Sequence, residues 1–209
     1  MRALALAAAL LSLTSCISYS VGTTARPTPE GKFEPNLGVY FIPNGIERAD
    51  ADDPTGPALS YGAADFEGRW GLDDRSDLAL RVPGGSGAIL TYKRLVNGPN
   101  DPEKLAIATV VGGGIVNFGN HAYVEAGLIA SGREDRAVPY GGVRAMHVVP
   151  ISSGAVRDTP SVGVFGGIRL QVGTNFALSP EVGVYYDPSA LELRRRNVIV
   201  VPSLTFHWN

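Results

Sequence analysis

The chain has 209 residues, a formal net charge of −2, one cysteine and 18% charged residues, against about 25% in an average soluble domain. The near-neutral balance excludes the basic footprint of a nucleic-acid-binding protein, and the single cysteine excludes an intrachain disulfide framework. With 26 glycines and lysine only at positions 32, 93 and 104, the water-facing surface is expected to be small or unusual.

The first stretch, MRALALAAALLSLTSC, has one positive charge at Arg2 and then an apolar run from Ala3 to Leu13, too short to span a bilayer as a helix. Residues 1–15 read as an export signal outside the fold. Leu13, Thr14, Ser15 and Cys16 resemble the lipobox of bacterial lipoproteins, a large residue and two small ones before an obligatory cysteine. That resemblance implies lipidation of Cys16. Because Ile17 rather than an acidic residue follows, it also implies onward transport to the outer membrane. Residues 16–31 are then a lipidated or periplasmic lead-in, and 32–209 the folded domain.

After the leader, helical periodicity is absent and period-2 alternation recurs. It predicts ten strands, at about 32–42, 59–70, 76–83, 87–96, 105–117, 121–131, 139–149, 161–172, 176–186 and 197–208. Eight remain possible if the pairs around 76–96 are misread. Turn clusters such as PGGSG, NGPNDP, NFGN and GTN separate them.

The two faces hold from strand to strand. Phe33, Leu37, Val39 and Phe41 oppose Glu34 and Asn36; Phe66 and Trp70 oppose Asp65, Glu67 and Arg69; Leu78, Leu80 and Val82 oppose Asp77 and Arg81. Lys93, Glu125, Arg144, Arg169 and Glu181 complete the charges on the polar faces. Six acids and five bases are thus expected to pair among themselves, Arg169 within reach of acids such as Glu181. Two residues break the pattern: Arg94 shares a parity with Leu90 and Tyr92, and His147 with Val143. On a lipid-facing surface an arginine costs about 2–4 kcal/mol at the midplane and much less at the interface, so Arg94 is expected near a strand end.

Alternation alone does not say which face is wet. A soluble lipocalin-like barrel is apolar inside, a membrane barrel apolar outside. The polar face here is rich in glycine with balanced Asp, Glu and Arg, which suits a crowded lumen. Phe41, Trp70, Tyr92, Tyr186, Phe206 and Trp208 stand near strand ends on the apolar face, as interfacial girdles require. The longest connections, the first, seventh and ninth, are all odd-numbered and so fall on one side of an even-stranded barrel, the outer one.

The closing segment, VPSLTFHWN, resembles the last strand of bacterial outer-membrane barrels, which the barrel-assembly machinery reads, although its aromatic Trp208 is penultimate rather than last. Nearly the whole mature chain resembles, in architecture, the small porin-like outer-membrane β-barrel proteins. The resemblance implies an all-β, antiparallel up-and-down transmembrane barrel surrounded by outer-membrane lipid. It brings no functional motif with it.

No catalytic, metal or cofactor site is expected. His121, His147 and His207 suggest no histidine-centred constellation; Asp50, Asp52 and Asp53 lack the glycine and distal glutamate of a calcium loop. PGGSG and VVGGG lack the helix and Lys-Ser/Thr of a phosphate loop. Arg194, Arg195 and Arg196, in a connection on the outer side, suit contact with lipopolysaccharide phosphates. The functional expectation is a plugged or very narrow barrel with a structural or surface-interaction role, or passage of small solutes. The alternative is a soluble lipid-anchored barrel binding an apolar ligand.

Overall fold

The structure, a computed structural model, describes residues 18–46, 59–152, 160–186 and 198–208. Cys16, the signal segment, Asp50 to Asp53 and Arg194 to Arg196 lie outside these residues. Ten strands form: β1 (Phe33–Ile46), β2 (Leu59–Asp73), β3 (Ser76–Pro83), β4 (Ala88–Leu95), β5 (Ala106–Val116), β6 (His121–Ser131), β7 (Ala137–Pro150), β8 (Ser161–Gly173), β9 (Phe176–Tyr186) and β10 (Val198–Trp208). Each pairs antiparallel with its sequence neighbour, and β10 returns to β1 through Asn36↔His207 and Leu37↔Phe206, closing the barrel. The fold is therefore the up-and-down β-barrel expected, with ten strands.

Closure leaves no free edge, so the pleat alone sorts side chains. Along β9, Ser179, Glu181, Gly183 and Tyr185 are buried, whereas Pro180, Val182, Val184 and Tyr186 are exposed. The same alternation exposes Phe66, Leu80, Leu90, Leu128, Val143 and Val164 on the outside. Apolar residues therefore cover the outer wall while Arg69, Asp77, Lys93 and Arg81 are enclosed, the reverse of a soluble globular domain.

The mouth where β1 begins, here the near mouth, carries an aromatic rim. Phe33 lies 4.8 Å from Trp70, and Phe176, Phe206 and Trp208 contact one another at 5.9–6.4 Å between ring centroids. Arg94 is the penultimate residue of β4, paired with the first residue of β3. It is exposed and donates to the Tyr92 hydroxyl at 3.1 Å, so its outward parity falls at this rim.

Within the stretch 16–31, expected as a lipidated or periplasmic lead-in, residues 18–28 run inside the barrel, buried apart from a half-buried Val21. The charged inner wall offers the polar partners that hold them there.

Candidate functional site

All eleven charged residues assigned to the polar faces point into the lumen, where they form groups rather than simple pairs. Glu67 of β2 accepts from Arg81 at 2.8 Å and from Arg69 at 2.8 Å. Arg69 reaches on to Asp77 at 2.7 Å, and Asp77 to Lys93 at 3.1 Å. This five-residue chain, alternating in sign, crosses three adjacent strands. Glu125 of β6 forms a very short ion pair with Arg144 of β7 and accepts from Tyr123 at 3.0 Å and Thr91 at 3.1 Å. Arg169 of β8 makes a two-pronged pair with Glu34 of β1, a partner the sequence did not suggest. Charges this enclosed persist only when paired and hydrogen-bonded.

The internal segment binds the remaining acids, Glu181 and Asp65, and adds contacts to Arg144, Lys93 and Asp77, mostly through its backbone. Glu181, the acid suggested for Arg169, accepts the consecutive amides of Val21 and Gly22, one on each carboxylate oxygen, both at 2.9 Å. Arg144 donates to the Ser18 carbonyl at 2.8 Å, and Lys93 to the carbonyls of Thr24 and Arg26 at 3.1 and 2.7 Å. Asp77 accepts the Thr28 amide at 2.9 Å, and Asp65 takes the Ser18 hydroxyl in a very short bond. The segment works as a plug.

Above the charged belt, Tyr19 of the plug joins Tyr40, Ile42, Ile89, Met146 and Tyr185 in an apolar cluster at the far end of the lumen. Glycines on both sides let the second backbone fit: a Cβ at Gly71 of β2 would lie 2.0 Å from the Pro29 carbonyl oxygen. Gly22 adopts φ +60°, and a Cβ there would lie 2.2 Å from Oγ1 of Thr205, so that position takes glycine alone. The cavity beside Arg69, Arg81 and Glu125 is only ≈ 20 Å³, about the space of one water. At the near mouth a vestibule of ≈ 570 Å³ remains, lined by Arg26, Lys93, Arg169, Glu34, Glu134 and Asp135. The loop 96–105 supports the plug there: the Arg26 guanidinium donates to Asn100 at 2.9 Å and to the Lys104 carbonyl at 2.6 Å.

A histidine-centred group, not expected from the sequence, also exists. Ser179 Oγ lies 2.8 Å from Nε2 of His207, whose Nδ1 lies 3.0 Å from Glu34 and 2.7 Å from Asn36. The spacing is that of a nucleophile, base and orienting acid. Ser179 and His207 are both 0% exposed, leaving no approach for a substrate carbonyl. The group ties β1, β9 and β10 together at the seam. His147 lies on the outward parity, and His121 contacts Asn117 at 3.1 Å. Among the described residues no cluster of potential metal ligands forms.

The described residues thus form a closed antiparallel β-barrel with an apolar exterior and a charged, plugged interior. No protein-family model and no curated protein matches the chain. Among solved structures it is similar to Neisserial surface protein A, at 13% identity and TM-score 0.35 over 84% of this chain and 96% of that one. It is similar also to the outer membrane protein OprG from Pseudomonas aeruginosa, at 14% and 0.37 over 89% and 98%. A third is the outer membrane protein Ail of Yersinia pestis, at 10% and 0.35 over 85% and 100%. At these identities nothing that those proteins do transfers to this chain.

Proposed function

We propose that the protein resides in the bacterial outer membrane as a barrel closed by its own N-terminal segment, with a structural or surface-interaction role and at most the passage of small solutes. The observation that carries this reading is the inverted partition of side chains: Phe66, Val143 and Val164 outside, and Glu67, Arg144 and Glu181 inside. Burial of the outer wall in acyl chains removes that apolar area from water. A soluble barrel holding an apolar ligand has the opposite partition, and the plug occupies the space such a ligand needs.

With the near mouth, where β1 begins and β10 ends, on the periplasmic side, the vestibule faces the periplasm and the far end of the lumen faces outward. Arg194, Arg195 and Arg196 are then proposed as contacts for lipopolysaccharide phosphates, and the closing strand as the segment read by the assembly machinery. Detergent dependence tests the reading. After removal of any lipid anchor the purified protein should aggregate when detergent is withdrawn; a monodisperse, detergent-free protein would overturn it. Planar-bilayer recordings should show no large, steady conductance steps.

A further inference from the structure

We propose that the lumen is a binding channel for a non-helical polypeptide segment, and that residues 18–29 are its resident occupant. The inference goes beyond the reading above, since it depends on the closed barrel and not on the surrounding lipid. It rests on how the wall spends its charges. Arg144, Glu181, Lys93 and Asp77 all engage main-chain carbonyls or amides of the plug. The Tyr185 hydroxyl does the same, donating to the Tyr19 carbonyl at 2.6 Å. Every polypeptide carries those groups, so these contacts recognise the main chain itself, here bent at Gly22.

Side chains are read as well: the Ser18 hydroxyl by Asp65, the Thr23 hydroxyl by Lys93 and the Arg26 guanidinium by Asn100 and the Lys104 carbonyl, and two further positions are read by shape. Tyr19 packs edge-on against Tyr185 and Tyr40, with ring centroids at 5.2 and 6.4 Å, which selects an aromatic residue. Three residues later Gly22 fits against Thr205 where a methyl group would collide. The ligand class is therefore a peptide with an aromatic residue, two small residues and then glycine, which is how Tyr19, Ser20, Val21 and Gly22 run. The vestibule at the near mouth gives such a peptide a way in, and the tether to β1 passes through an exposed turn at Glu30, Gly31 and Lys32.

That turn makes the test possible on the full chain. A specific protease site is placed at Glu30–Lys32, the protein is folded in detergent, and the turn is then cut. The severed segment is released by high salt, and a fluorescent peptide of residues 18–29 is titrated in while circular dichroism monitors the intact barrel. The expected result is saturable binding that a Thr28→Ala peptide retains and a Gly22→Ala peptide loses by at least about tenfold. An intact, emptied barrel that fails to take up the peptide would overturn the proposal, as would equal binding of the Gly22→Ala peptide. Loss of detergent dependence would count against the membrane reading alone.

Discussion

Arg169 of β8 and Glu34 of β1 meet through the lumen across β9 and β10: Nη1 to Oε1 at 3.3 Å and Nη2 to Oε2 at 3.0 Å, between residues 135 apart in sequence. The same carboxylate holds His207 of β10, so one acid fastens β8, β1 and the closing strand. Replacing Glu34 by Gln leaves a largely enclosed guanidinium without its counter-charge. The expected loss is about 3 kcal/mol, read as a lowered unfolding midpoint of the detergent-solubilised protein. The double variant Glu34→Gln with Arg169→Met should recover part of it.

The plug depends on Gly22. Alanine there places its methyl group against Thr205 and holds a left-handed φ that L side chains disfavour. Hydrogen exchange at the amides of residues 18–28 should accelerate by orders of magnitude in Gly22→Ala, while the wall strands keep their protection. Thr205→Gly in the same chain should restore part of the slow exchange, because it removes the colliding atoms.

The outer wall responds to charge by height. Val143 is central in β7 and faces outward, so Val143→Arg should cost about 2–4 kcal/mol in bilayers, against about 0–1 kcal/mol for Arg at a rim. Arg94→Leu at the near rim should correspondingly change stability little. Folding titrations in vesicles separate the two, and equal effects at both positions would contradict a lipid-facing wall.

The buried relay of Ser179, His207 and Glu34 should be chemically silent. A fluorophosphonate probe, which labels activated serines, is expected to leave Ser179 unmodified both in the intact protein and after release of the plug. Labelling that disappears in Ser179→Ala would reveal a hydrolase.

Most of the wall was legible in the sequence because a pleated strand fixes side-chain direction by parity alone. Glu34, Arg69 and Arg144 could each be assigned a face without knowledge of any neighbour. Parity does not fix height or the identity of the adjacent strand, so neither the Arg169–Glu34 pair nor the contact of His207 with Ser179 on β9 could be read. The plug was missed for another reason: SYSVGTTARPTP has neither period, and its role is to supply main-chain groups, which every sequence has. Its glycine and small side chains were the only signal, and they also fit an ordinary linker.

The paired amides of Val21 and Gly22 on Glu181 also bear on how the protein assembles. A ring of strands that closed first would leave the plug-facing atoms of Glu181, Lys93 and Asp77 to water, and the chain would then have to displace that water from a narrow tube. If residues 18–28 are laid down while the seam between β1 and β10 is still open, each strand that joins finds its counterpart already in position. The segment made before any strand thus serves as the mandrel on which the ring is wound. A barrel folded without it should close slowly and accumulate open-seam intermediates.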